Sequence, residues 1–212
     1  MRKLLAVFGA VATAACSVVG VRDTPEPDYT VVEELGEAVE IRRYAPRVAA
    51  EARMGDDAGR NAAFGLLFDY ISGANRPSEK IAMTAPVATE EAGGTEIAMT
   101  APVAEDRDAQ DGYAMRFFLP RRYDSAASAP QPTDDRVWLV EAPEQTIATL
   151  RFSGSRDAEH VREKRAELLR ALEGSGWRPA GAAESWFYDP PWTLPPARRN
   201  EIAIPVERAE TG

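Results

Sequence analysis

The sequence predicts an α+β fold, on three observations. Strand-like segments come in runs broken by only two helical segments, in the order strands, helix, strands, then strands, helix, strands; this is not the single alternation that builds a parallel sheet. The two helical segments carry one-sided apolar spacing, whereas the strand segments alternate or run short and apolar. The folded stretch, Tyr29 to about Val206, is long enough for one sizeable core. With 44% hydrophobic and 28% charged residues in 212, the composition is that of an ordinary globular chain.

The elements follow in order. Tyr29 to Leu35 and Val39 to Tyr44 read as strands, the second in strict apolar–polar alternation. Pro46 interrupts, and Arg47 to Met54 resumes as a strand. Asp56 and Asp57 offer N-cap chemistry for a first helix, in which Phe64, Leu67, Phe68 and Ile71 fall at i, i+3, i+4 and i+7. Gly73-Ala74-Asn75 ends it, before Pro77. Ile81-Ala82-Met83-Thr84-Ala85-Pro86-Val87-Ala88 then recurs as Ile97-Ala98-Met99-Thr100-Ala101-Pro102-Val103-Ala104. Glu90-Glu91-Ala92-Gly93-Gly94 between the copies is turn chemistry, so two strands joined by a hairpin loop are expected. Strands are expected again at Tyr113 to Leu119, Arg136 to Glu141 and Gln145 to Phe152. A second helix is expected from Ser155 to Glu173, with Val161, Leu168, Leu169 and Leu172 apolar. A short strand Trp186 to Tyr188, a proline-stiffened loop from Pro190 to Pro196 and a strand Glu201 to Val206 complete the fold.

Residues 1–28 stand outside it. Arg2 and Lys3 precede an uncharged run from Leu4 to Ala15, too short to span a bilayer and shaped like a signal-peptide core. Small residues before the lone Cys16 match a bacterial lipobox, in which Cys16 becomes the lipidated N-terminus; Thr13 departs from the usual bulky aliphatic residue. Cleavage at Ala12-Thr13-Ala14 is the competing reading. The expected organisation is a signal peptide 1–15, a tether 16–28, a domain 29–207 and a tail 208–212. Removing residues 1–15 takes away two bases and no acid, moving the net charge from −9 to −11. The expected location is the bacterial envelope: exported, lipid-anchored, on the periplasmic side of the outer membrane.

The composition excludes much chemistry. A net charge of −9 opposes nucleic-acid binding. One Cys and one His exclude an internal disulfide, a Cys-rich metal site and a multi-histidine metal centre. His160 lies beside Glu159, Arg162 and Glu163, on the polar side of the second helix, and reads as solvent-facing. Met83, Met99 and Met115 could offer thioether ligands but read first as core packing. There is no glycine-rich phosphate loop and no nucleophile elbow, so no catalytic residue is assigned and an enzyme is not expected. Asn61, Phe64 and Phe68 share one helix face. That pattern serves a core, and it also serves a cleft for a flat apolar ligand.

Five segments carry a resemblance. They are Val39-Glu40-Ile41-Arg42-Arg43-Tyr44, Tyr70-Ile71-Ser72-Gly73-Ala74-Asn75, Lys80-Ile81-Ala82-Met83-Thr84-Ala85-Pro86-Val87, Tyr188-Asp189-Pro190-Pro191 and Arg198-Arg199-Asn200-Glu201. In this order and spacing the chain resembles the SOUL, or haem-binding protein, family from about Tyr29 to Val206. The resemblance implies a distorted antiparallel β-barrel of two similar β-α-β halves, flanked by two long helices. It implies non-enzymatic, non-covalent binding of haem or another tetrapyrrole in an apolar groove, for carriage or buffering. The residues it points to are Asn61, Phe64 and Phe68 on the first helix, with Trp192, Thr193, Arg198 and Arg199 from the loop before the last strand. Aromatic faces suit a porphyrin, and Arg pairs with propionates. Two positions depart from the pattern. Some members place an axial His where this chain has Arg43, and a basic loop residue where it has Thr193. Haem would then be held by burial and propionate contacts, or ligated by His160, a Met or Tyr44. The alternative is an apolar-ligand or partner-binding module that ignores haem.

Overall fold

The computed structural model describes residues 25–54, 59–76, 97, 101–109, 112–190 and 192–209. In chain order its elements are β1 (Tyr29–Leu35), β2 (Val39–Tyr44), β3 (Arg47–Met54), α1 (Arg60–Ile71), β4 (Asn75–Arg76), β5 (Val103–Ala109), β6 (Gly112–Phe118), β7 (Gln131–Pro132) and β8 (Val137–Ala142). They continue with β9 (Gln145–Phe152), α2 (Ala158–Leu172), β10 (Trp177–Pro179), β11 (Glu184–Phe187) and β12 (Asn200–Arg208). The architecture is α+β, with mostly antiparallel strands and two helices. The signal-like segment, Cys16, Asp56, Asp57 and the first copy of the repeat lie outside the described residues. Of the second copy, Val103 and Ala104 open β5, while Ala101 and Pro102, joined by a cis peptide bond, precede it.

Two compact units make up the chain: Thr30–Arg43 with the stretch from Thr146 onward, and Pro25–Tyr29 with Tyr44–Gln145. In the first, the strand order is β1-β2-β9-β12-β11, with β10 also paired to β12. β12 runs antiparallel to β9, Ile202 opposite Leu150, and to β11, Glu201 opposite Trp186. In the second, β5-β6-β3-β8 are antiparallel, Glu51 standing opposite Arg116 and Trp138. The internal wiring of the two is alike. β9 leads into α2 and then to the hairpin strands β11 and β12, of which β12 returns beside β9. β3 leads into α1 and then to β5 and β6, of which β6 returns beside β3.

Each unit has its own core, and the apolar periodicity explains why. In the first, Val39 and Ile41 of β2, Ala148, Leu150 and Phe152 of β9, and Ile202, Ile204 and Val206 of β12 bury against Val161, Leu168 and Leu172 of α2. Leu169, expected on the apolar side of this helix, is exposed. Burying one such Leu side chain contributes about 1.5–3 kcal/mol. The helix starts where its chemistry dictates: Asp157 caps it, its Oδ1 accepting the His160 backbone N–H at 2.8 Å. That bond leads the interactions holding the Asp157 carboxyl below the usual range. In the second unit, Val48, Ala50 and Ala52 of β3 and Tyr113, Met115 and Phe117 of β6 pack on Ala63, Leu67, Tyr70 and Ile71 of α1. α1 begins at Arg60 with Gly59 at the N-cap and no side-chain cap. Gly59 is demanded by space, because a Cβ there would lie 2.4 Å from Met54 Cβ.

Candidate functional site

The buried side of α1 differs from the expected one. Ala63, Leu67, Tyr70 and Ile71 face the core, whereas Phe64 and Phe68 are 39% and 47% exposed. Tyr70 takes the inner position because its ring fills the core while its hydroxyl donates to the Pro130 carbonyl at 2.8 Å. The two phenylalanines stand on the outer flank with near-parallel rings, 13° between planes and 6.2 Å between centroids. Phe64 also meets Phe117 edge-on at 5.4 Å, which fixes the pair to the sheet below. Asn61 is exposed on the same face. Beside them Gly65 is open: among the described residues outside its own helix backbone and chain neighbours, a Cβ there would meet nothing within 4 Å. The helix thus presents a bare aromatic surface, with Asp69 as its one exposed charge, that its own unit leaves uncovered among the described residues. Solvated helix faces are normally polar and charged.

The base of α1 is fixed by a charged contact. Arg60 donates through Nε and Nη2 to Glu105 Oε1 at 2.8 and 2.7 Å, and the Glu105 carboxylate is buried. Burial opposes the charge on Arg60, but Glu105 outweighs it and raises the pKa. Burial and neighbouring Glu105 push the Tyr113 phenol up, so it stays neutral. Arg60 is therefore engaged in holding α1 to the sheet.

The other expected residues sit in the first unit, on the loop between β11 and β12. Trp192 is 63% exposed and Leu194 is exposed, while Thr193 between them is buried. The loop is held from several sides. Arg198 Nε donates to the Thr193 carbonyl at 2.8 Å, the Arg199 backbone N–H donates to Asp189 Oδ2 at 2.6 Å, and Pro195 accepts from the Gly154 N–H at 2.9 Å. Arg199 turns inward. Its Nε and Nη2 donate to Glu201 Oε1 at 3.0 and 2.8 Å, and its guanidinium covers the Tyr188 ring at 3.8 Å.

Glu201 itself is fully buried. Arg42 grips it with Nη1 on Oε2 at 2.8 Å and Nη2 on Oε1 at 3.1 Å, and the Tyr188 hydroxyl donates to Oε2 at 2.6 Å. Burial pushes the Glu201 pKa up. The Arg42 hydrogen bonds and charge, then Arg199 and Tyr188, overcome that and hold it below the usual value. Glu40 accepts from Arg42 Nε at 2.6 Å. Three of the motifs named above, those containing Arg42, Tyr188 and Arg199-Asn200-Glu201, therefore meet in one buried cluster.

These residues fit a flat ring better than its iron. Arg43 is exposed, and the α1 face offers no imidazole, thiolate or thioether. Tyr44, Tyr70, Tyr113 and Met115 are buried. His160 lies against Phe152, with ring centroids 5.5 Å apart, and its Nδ1 is 3.5 Å from Glu163 Oε2. Met83 and Met99 lie outside the described residues. Among the described residues no group of three or more His, Cys, Asp or Glu could hold a metal ion. Sequence reasoning passed over Gly65 and the Glu201 cluster. A glycine inside a good helix was the signal for the first; the second had none, because Arg42 and Glu201 are 159 residues apart.

Comparison with known proteins adds a family, a relative and two solved structures. A family model described as SOUL heme-binding protein matches residues 24–205. Heme-binding protein 1 of Sus scrofa is 27% identical over 134 residues, which cover 63% of this chain and 64% of that protein. The chain thus aligns with less than two thirds of that relative's length. Among solved structures, the EcmrR C-terminal domain superposes with a TM-score of 0.53 at 13% identity, covering 85% of this chain and 99% of the other. An uncharacterized conserved protein from Listeria innocua gives 0.51 at 15% identity, covering 87% and 93%. At these identities the structural likeness speaks for the fold alone.

Proposed function

Because the chain belongs to the SOUL haem-binding protein family, we propose that it binds haem or another tetrapyrrole without chemical turnover, on the aromatic face of α1. The observation that carries this reading is the exposed, near-parallel Phe64–Phe68 pair, with Asn61 beside it, on a helix face without a cation. Apolar ring faces bind a porphyrin plane by area and by stacking. Trp192 and Arg198, on the loop between β11 and β12 of the first unit, are proposed as ligand contacts of that unit in their own right; Arg199 is occupied by Glu201. The proposal places affinity in contact with the ring, since the position of the axial His holds exposed Arg43.

Carriage or buffering at the bacterial envelope is the matching role, with Cys16 as a lipid anchor and the residues between it and the compact unit that begins at Pro25 as its tether. A buried CH₂ contributes about 0.8 kcal/mol, so acyl chains on Cys16 would hold the protein at a membrane. Titration of the purified chain with hemin tests the binding. A saturable Soret shift at micromolar protein is expected, and Arg43→Ala should leave the bound spectrum unchanged. No saturable shift would contradict the reading and favour a module for some other apolar ligand.

A further inference from the structure

We propose that Gly65 is the floor of the tetrapyrrole site: a glycine held inside α1 so that one face of a flat ring system can lie against the helix backbone beside Phe64 and Phe68. The inference rests on the reading of that face as the ligand site.

Neither packing nor backbone geometry accounts for Gly65. It lies in the interior of a regular helix, where glycine is less favourable than alanine. It is not among the described glycines with positive φ, which are Gly36, Gly73, Gly154, Gly174 and Gly176. Among the described residues, and apart from its own helix backbone and chain neighbours, a Cβ at Gly65 would meet no atom within 4 Å, whereas at Gly59 it would strike Met54. The fold therefore tolerates a side chain at 65, and the sequence omits one.

The surroundings say what the gap suits. On the outward side of α1, Asn61, Ala62, Phe64, Phe68, Asp69 and Ser72 are exposed, and the one charge among them is the Asp69 carboxylate. Arg60, at the start of the helix, is held by Glu105. A flat apolar ring can rest in the missing side chain's place with its plane near the backbone. Acid groups on that ring would point away from Asp69. A branched side chain at 65 would stand between ring and helix and lift the ligand off both phenylalanines.

Gly65→Ala and Gly65→Leu in the full chain test this, with thermal melting in the absence of ligand and titration with hemin and with metal-free protoporphyrin IX. Gly65→Ala should raise Tm by about 2–4 °C through helix propensity, and neither variant should melt below the parent. Gly65→Leu should weaken both ligands alike, by about tenfold or more, because the contact is with the ring and not the iron. Parent-like affinity in Gly65→Leu would overturn the proposal. So would a fall in Tm in both variants, which would show protein atoms filling the space. A parent chain that binds neither ligand overturns the site reading together with this inference. A chain that loses binding on Phe68→Ala but keeps it in Gly65→Leu overturns this inference alone.

Discussion

Glu201 accepts five hydrogen bonds from three side chains in a position without solvent contact. Breaking one member of such a buried set leaves uncompensated charge, which costs about 3–5 kcal/mol. Glu201→Gln is expected to lose about that much in denaturant unfolding, with the two arginines left facing a neutral amide. The sign of its pH dependence follows from the lowered pKa. A carboxylate whose folded pKa lies below the unfolded value, near 4.5, stabilises fully above that value and loses its contribution as pH falls through the folded pKa. The stability gap between parent and Glu201→Gln should therefore stay level from pH 8 to about 5 and narrow below; a gap that widened on acidification would contradict the assignment. None of this was legible in sequence. Arg198-Arg199-Asn200-Glu201 stood out as a motif, and both arginines looked like propionate partners, because pairing across 159 residues leaves no local trace. The fold places Arg199 in the Glu201 cluster and Arg198 against the Thr193 carbonyl of the loop.

At the scale of elements, the strands were legible where alternation was strict and prolines marked their ends. β1, β2, β3 and β9 occupy their expected residues. β10 escaped because Trp177-Arg178-Pro179 is three residues long and ends in proline. The helices were legible as helices, but the inner face of α1 was not. Phe64, Leu67, Phe68 and Ile71 make a good apolar stripe, yet the core takes Ala63 and Tyr70 instead of the two phenylalanines. Tyr70 wins because its hydroxyl finds a buried acceptor at Pro130. Stability measurements should separate the two faces. Leu67→Ala, at a fully buried position, should cost about 2–5 kcal/mol, whereas Phe68→Ala should cost about 1 kcal/mol or less. Equal losses would mean that Phe68 is a core residue and that α1 has no face to spare for a ligand.

At the scale of the whole molecule, the chain uses one wiring twice: strand, helix, hairpin, with the last strand returning beside the first. The order of elements in the sequence showed that repetition, although the two halves share little sequence. The uncovered aromatic surface belongs to the second unit's helix, and the clamped loop with Trp192 to the first. The proposed envelope anchor is tested on the whole chain as well. Cys16→Ser should abolish metabolic labelling with palmitate, and retained labelling would refute lipidation at that residue. The central claim, a tetrapyrrole on the outer face of α1, is tested most directly by hemin titration of the parent beside a Phe64→Ala/Phe68→Ala double variant whose unfolding is followed in parallel. A saturable Soret shift in the parent, weakened at least about tenfold in a double variant that is still folded, is the predicted result. Equal binding by both proteins, or none by the parent, would contradict it.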